Sequence, residues 1–178
     1  LEIMKNIKTN LEENTLVITI NRPDKLNALN ETVLTELESI IIDNRDKPNI
    51  KCVIITGEGD KAFVAGADIK EMSSFSSMDA IKYSNKGINL FNIIESYPKP
   101  IIAAVNGYAL GGGLELAMGC NYRVALTSSK LGLPEVKLGI IPGAGGTQRL
   151  PRLAGVEKAL SMITSGIPIS ASVLLNQV

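Results

Sequence analysis

The chain has 178 residues, 18 Lys and Arg against 18 Asp and Glu, and neither histidine nor tryptophan. Zero net charge disfavours a nucleic-acid partner, and no apolar run has the length of a membrane span or the pattern of a targeting segment. The lack of histidine excludes Ser-His-Asp triads and His-ligated metals, and we expect no metal site. Acid–base chemistry must therefore use carboxylates, lysine or tyrosine.

The first half of the chain predicts strands alternating with helices. Thr15–Ile20 is rich in β-branched residues and predicts a strand. Asn30 is expected to cap a helix with apolar residues at helical spacing. Cys52–Thr56 is a short apolar run, which suits a strand buried on both faces. Ser76 and Asp79 form a capping-box pattern, so a second helix should start there and reach the prolines near residue 98.

Two further strands are predicted at Ile101–Val105 and Asn121–Leu126. This alternation indicates an α/β domain with parallel strand pairing. At the far end, Ser170 is expected to cap a helix that includes residues 173–175. The two cysteines lack Cys-x-x-Cys spacing, and we expect buried, reduced thiols in a reducing compartment.

Glycine is concentrated in one part of the chain, since 11 of the 16 glycines lie between Gly107 and Gly155. Such clustering indicates tight turns or close approach of the backbone to a ligand. Gly57 and Gly59 fit a dinucleotide-binding pattern, but no amphipathic helix follows them, and we reject that site. The sequence also lacks the Gly-Lys-Ser/Thr of a phosphate-binding P-loop.

The segment Gly107–Met118 carries the strongest functional signal. A predicted strand leads into three consecutive glycines and then into helix-forming residues. The free N–H groups and positive end of such a helix can form an oxyanion hole. Glu115 falls in the first helical turn, between Leu114 and Leu116. An isolated glutamate here would be a surface residue, whereas apolar neighbours favour a raised pKa and a chemical role.

Two other segments also combine an acidic residue with nearby glycines. Glu135 is a lone acid in a Gly- and Pro-rich segment; by itself it could start a helix or form an ion pair. Beside Glu115, it suggests a general acid and base pair. In Ala62–Lys70, Gly66 permits an unusual turn, and the next amide could be a second oxyanion donor. Asp68, taken alone, is expected to cap a helix.

These segments identify a family resemblance. The sequence resembles the enoyl-CoA hydratase/isomerase (crotonase) superfamily, and within it the hydratases, in unbroken order over nearly the whole chain. The matching stretches are Ile20–Pro23, Leu26–Leu29, Phe63–Met72, Pro100–Met118 and Pro134–Leu150. The resemblance implies one domain over residues 1–178, a crotonase-like α/β spiral of ββα units that is incomplete at the C-terminus. The helices expected beyond it help to cover the acyl site and to form trimers or hexamers in the family.

The resemblance also implies an activity. The backbone amides of Ala67 and Gly112 would polarise a thioester carbonyl. Glu115 and Glu135 would hold a water and add it to a trans-2-enoyl-CoA, giving a 3-hydroxyacyl-CoA as in fatty-acid β-oxidation. Which glutamate acts as the base stays open at this point. No cofactor is implied, since CoA is part of the substrate.

The substrate-binding positions come from the same resemblance: Lys25, Leu26, Ala67, Asp68, Ile69, Lys70 and Gly112. Lys25 and Lys70 could pair with phosphates or could be ordinary surface lysines. Three alternatives to the active hydratase stay open: an isomerase, another crotonase chemistry, and an inactive fragment of a hydratase, bifunctional or not, that only binds acyl-CoA. The expected compartment is the bacterial cytoplasm or the mitochondrial matrix.

Overall fold

A computed structural model describes residues 5–174 of the chain. The strands are β1 Ile7–Glu12, β2 Thr15–Ile20, β3 Cys52–Gly57, β4 Ala62–Val64, β5 Ile101–Val105, β6 Tyr108–Leu110, β7 Tyr122–Ala125, β8 Lys130–Gly132 and β9 Ile169–Ser170. The α-helices are α1 Glu31–Asp43, α2 Ile69–Met72, α3 Ser77–Glu95, α4 Gly112–Gly119, α5 Gly146–Ala154, α6 Val156–Ser165 and α7 Ala171–Leu174. Short 3-10 helices cover Pro23–Lys25 and Pro134–Leu138.

The strands form two sheets, of order β1-β2-β3-β5-β7 and β4-β6-β8-β9. Three successive strand pairs, β3/β4, β5/β6 and β7/β8, each place the first strand in the larger sheet and the second in the smaller one. Strands within each sheet pair in parallel except at the β1–β2 and β8–β9 ends. This winding is the predicted spiral of ββα units, and the predicted fold class is confirmed.

The main core lies between the larger sheet and helices α1 and α3. Strands β2, β3 and β5 alternate buried and partly exposed residues, and their buried members share one apolar cluster with both helices. The prediction that the Cys52–Thr56 strand is buried on both faces is therefore wrong. Only one face of this sheet is fully covered by the described part of the chain, so Cys52 itself is partly exposed, while Cys120 is buried.

Both predicted helix starts are confirmed. The side chain of Asn30 accepts a hydrogen bond from the Val33 amide at 2.9 Å. Ser76 and Asp79 form the reciprocal capping box that opens α3. Helix α3 packs against the core mainly through its second half: Ile81 is exposed, whereas Leu90, Phe91 and Ile94 are buried.

Several elements were not predicted. The sequence pattern missed β1 of the larger sheet and β4, β8 and β9 of the smaller one. The strand expected before the three glycines is β6. Helix α7 follows Ser170 as expected, while Leu175 lies outside the described residues. Between residues 5 and 174, no helix combines the length and apolarity needed to cross a bilayer.

Candidate active site

A cavity of about 230 Å³ opens where the smaller sheet meets the start of α4. It brings together the four predicted catalytic residues: Ala67, Gly112, Glu115 and Glu135. Most of its other walls are apolar. They include Leu29, Leu34, Ile69, Met72, Phe75, Phe91, Leu138, Ile140 and Ile141.

The three consecutive glycines have different structural roles. Gly111 adopts a φ of 50°, and a Cβ there would lie 3.1 Å from Glu135 Oε1. A Cβ on Gly113 would lie 2.0 Å from the Val64 carbonyl oxygen, so packing requires glycine. Gly112 has neither restriction and lines the cavity. The first amide of α4 to donate within the helix is that of Glu115, to Gly111, which leaves the Gly112 N–H without an intrahelical acceptor.

The Ala67 amide lies beside Gly112. Leu29 pairs with this segment as a parallel bridge: its N–H donates to Gly66 and its carbonyl accepts from Asp68. In a parallel bridge the residue between these two partners, Ala67, directs its own N–H away from Leu29. A Cβ built on Gly112 would lie 3.9 Å from the Ala67 nitrogen. Two amides from distant segments thus converge on one part of the cavity.

Glu115 is almost fully buried, with 2% of its surface exposed, so the interpretation as a surface glutamate is wrong. Its Oε1 accepts hydrogen bonds from the backbone amides of Ala144 at 2.8 Å and Gly146 at 2.7 Å. Burial raises the pKa of Glu115, while these two amides and the charge of Arg149 oppose the rise. The side chain is therefore held at one oxygen by donors that favour its ionised form.

Glu135 is held in a different environment. It lies in the second 3-10 helix and is 8% exposed, and its Oε2 has no hydrogen-bond partner within residues 5–174. Burial, with a smaller contribution from the charge of Glu115, raises the pKa of Glu135 to about 7. Two carboxyl groups in one cavity thus have different hydrogen-bonding surroundings.

The predicted CoA-binding residues divide into two groups. Asp68 occupies the N-cap position of α2 but makes no capping hydrogen bond; it binds Arg22 at 2.9 Å, which holds the pKa of Asp68 low. The carbonyl of Leu26 accepts from Ala65 at 3.0 Å, which places Leu26 beside the start of this segment.

The remaining members, Lys25, Ile69 and Lys70, are exposed. Ile69 lines the cavity. Neither lysine forms an ion pair with a described carboxylate within 4.0 Å. The structure therefore brings Ile69 to the cavity, places Leu26 and Asp68 beside the segment around Ala67, and leaves both lysines exposed.

Sequence analysis missed two residues that support the site. The Tyr83 hydroxyl donates to the Leu29 carbonyl at 3.0 Å, behind the Ala67 amide. Arg149 is buried and binds the carbonyl of Ala144, whose amide holds Glu115. No local pattern marks either residue, because an isolated tyrosine or arginine in a helix is ordinarily a surface residue.

Residues 10–176 match the family described as Enoyl-CoA hydratase/isomerase. The chain belongs to this enoyl-CoA hydratase/isomerase family. One similar member is the Crotonyl-CoA hydratase of Syntrophomonas wolfei, 49% identical over 94% of this chain and 64% of its own length. Another is the mitochondrial Enoyl-CoA hydratase of Pongo abelii, 46% identical over 87% of this chain and 52% of its own.

Solved structures of the enoyl-CoA hydratase/isomerase family show the same fold. Enoyl-CoA hydratase from Bacillus anthracis superposes with a TM-score of 0.94 at 41% identity, and the match covers 97% of this chain and 67% of that one. The chain spans about 64% of the length of the Syntrophomonas relative.

Proposed function

We propose that this chain is the catalytic core of an enoyl-CoA hydratase, which converts a trans-2-enoyl-CoA to a 3-hydroxyacyl-CoA in fatty-acid β-oxidation. The observation that carries the proposal is the convergence of two buried carboxyl groups and two backbone amides on one apolar-walled cavity. The names of relatives, among them Crotonyl-CoA hydratase and Short-chain-enoyl-CoA hydratase, support the same reaction.

The two amides have a defined part in this mechanism. The thioester oxygen accepts hydrogen bonds from the N–H groups of Ala67 and Gly112. Electron density moves from the double bond onto this oxygen as water attacks, and the fixed amides stabilise the resulting enolate charge. The positive end of α4 adds to the stabilisation. Each donor of this kind contributes about 3–4 kcal/mol to transition-state stabilisation.

The surroundings of the two acids favour one assignment. Two amide donors favour the carboxylate form of Glu115, which takes one proton from the water. The remaining hydroxide adds to Cβ. Glu135, whose pKa is about 7, delivers its proton to Cα. The product has gained both parts of one water molecule, and a proton passes from Glu115 back to Glu135 through solvent before the next turnover.

The rest of the site is proposed to bind the acyl chain and the CoA part of the substrate. The apolar walls accept the acyl chain. The segments around Leu26 and Ala67–Lys70 bind the CoA part, with Lys25 and Lys70 available to its phosphates. The chemistry uses water and the thioester alone, so we propose that no further cofactor takes part.

For the whole protein we propose a homotrimer or hexamer, without nucleic-acid or membrane partners. We place it in the bacterial cytoplasm or the mitochondrial matrix, in line with bacterial and mitochondrial relatives. One domain over residues 1–178 forms the catalytic core.

Hydration is tested by adding crotonyl-CoA to the purified chain and following loss of the conjugated enoyl absorbance. Glu115→Gln and Glu135→Gln should each lower the rate about 10²–10⁴-fold, because each removes a proton-transfer group. Glu157→Gln, an exposed residue on α6, serves as the matched control. Unchanged rates in both active-site variants would overturn the mechanism. If the chain binds crotonyl-CoA without hydrating it, its function is limited to acyl-CoA binding. If it only converts a 3-enoyl-CoA to the 2-enoyl isomer, it is an isomerase.

A further inference from the structure

A single loop, residues 143–146, holds the carboxylate of Glu115. The amides of Ala144 and Gly146 both donate to Oε1. Between these two donors lies the peptide group that links Ala144 to Gly145. Its carbonyl oxygen accepts a hydrogen bond from Arg149 Nη1 at 3.2 Å. The guanidinium thus binds the middle peptide of the unit that orients the glutamate.

Arg149 is itself fixed by helix α3. Its Nε and Nη2 donate to Glu95 Oε2 at 3.0 and 2.7 Å, and Nη2 also donates to Asn92 Oδ1 at 2.7 Å. The Arg149 side chain is 10% exposed. A planar guanidinium suits this arrangement, because its donors point in fixed directions to several acceptors at once. Through this one side chain, the loop is tied to α3.

We propose that Arg149 is a positioning residue that holds loop 143–146 against α3, so that the loop amides keep the Glu115 carboxylate oriented and ionised. The proposal deepens the hydratase mechanism and rests on it for the role of Glu115 as the base. Arg149 does not line the cavity, and its hydrogen bonds reach Glu115 only by way of the loop.

Other charges near Glu115 must be separated from this effect. The ionisable groups that face it are Glu135 from the 3-10 helix, Tyr83 from α3 and Arg149 from α5. Strand β4 carries no titratable residue, and Tyr108 of β6 lies at the strand end away from α4. Removing Arg149 would withdraw a positive charge and also loosen the two amides. Both changes disfavour the ionised carboxylate of Glu115. The substitutions must therefore separate the loss of the Arg149 charge from the displacement of the loop amides.

The experiment is a carbon-13 NMR titration of the glutamate carboxyl groups, with the Glu115 signal assigned by its loss in Glu115→Gln. We expect Arg149→Met to raise the titration midpoint of Glu115 by about one pH unit, a typical effect of losing a nearby charge and hydrogen bonds. Arg149→Lys keeps the positive charge but loses the fixed planar set of guanidinium donors. It should raise the titration midpoint of Glu115 by about half a pH unit. Arg152→Met removes a cation from the exposed side of the same helix and should leave the midpoint unchanged.

Glu95→Ala gives the sharpest comparison. By charge alone, removing an anion would lower the midpoint of Glu115, whereas releasing Arg149 should raise it. The Glu95 side chain is 58% exposed, so this variant should fold even if Arg149→Met does not. A wild-type midpoint in Arg149→Lys, or a midpoint in Glu95→Ala that falls or stays unchanged, overturns the proposal. No substrate is present, so the result is independent of hydratase activity, which the crotonyl-CoA assay reports separately.

Discussion

The Oε1 atom of Glu115 lies 2.7 Å from the backbone nitrogen of Gly146, 31 residues further along the chain. A Cβ built on Gly146 would lie 2.9 Å from the same oxygen and 3.0 Å from the Pro142 Cβ. The φ angle of Gly146 is not in the left-handed region. Glycine is therefore required at this position by the close approach of the carboxylate and not by the backbone conformation.

Gly146→Ala should displace the Glu115 carboxylate from its amide donors. We expect kcat for crotonyl-CoA hydration to fall about 10²-fold, the usual cost of misplacing a reacting group by an ångström. The apolar walls are not changed, so KM should stay close to that of the wild type. Steady-state kinetics beside a melting curve will separate this effect from unfolding. A folded variant with wild-type kcat would contradict the positional requirement.

The proposed oxyanion donor Gly112 can be tested by removing a single N–H. Proline is tolerated in the first turn of a helix, where Gly112 lies, because that amide needs no helical acceptor. Gly112→Pro should lower kcat/KM about 10²–10³-fold. Gly112→Ala retains the amide and brings a Cβ to 3.4 Å from Leu29 Cδ1, so it is the matched control. Equal rates in the two variants would exclude an oxyanion role for this amide.

Glu135 should make stability depend on pH. Its pKa is about 7 in the folded chain, against an ordinary value of 4.5, so the folded state binds the proton more tightly than the unfolded state. Its stabilising contribution is complete below pH 4.5 and is lost as the pH rises through 7. Between pH 5 and 8, the wild type should lose about 2–3 kcal/mol of unfolding free energy relative to Glu135→Gln, which cannot ionise.

Urea unfolding of both proteins at the two pH values measures this difference. Glu115 is present in both proteins, so its own titration largely cancels. Parallel pH dependence in the wild type and Glu135→Gln would show that burial does not raise the pKa of Glu135. If Glu135 is the acid, the hydration rate of the wild type should also fall as the pH rises above 7.

The partly buried Tyr83 and the buried Tyr97 offer a comparison of hydroxyl groups. Tyr83 donates to the Leu29 carbonyl, whereas the Tyr97 hydroxyl has no hydrogen-bond partner among residues 5–174. Tyr83→Phe should destabilise the fold by about 0.5–1.5 kcal/mol, and Tyr97→Phe should be neutral or stabilising. Because Leu29 pairs with the segment around Ala67, the Tyr83 variant should also hydrate crotonyl-CoA more slowly. Denaturation and kinetics of the two variants, measured side by side, check both expectations.

Local patterns were sufficient for much of this fold. The Asn30 cap and the Ser76–Asp79 box depend on residues within one helical turn, so their sequence patterns gave the correct helix starts. The glycine triplet before Glu115 likewise predicted a strand that turns directly into a helix. The position of two acids beside glycine-rich segments was visible without coordinates, and their catalytic roles stay predictions.

The tertiary structure decided which residues these elements contact. The smaller sheet is built from strands of two or three residues, too short for any periodic pattern to show. Arg149 contacts Glu95 across 54 positions, and only folding makes that arginine part of the support for Glu115. The pKa of Glu135 depends on desolvation by neighbours from several elements. Thus the sequence alone determined which groups could do chemistry, and packing between distant segments decided their distances, burial and charge.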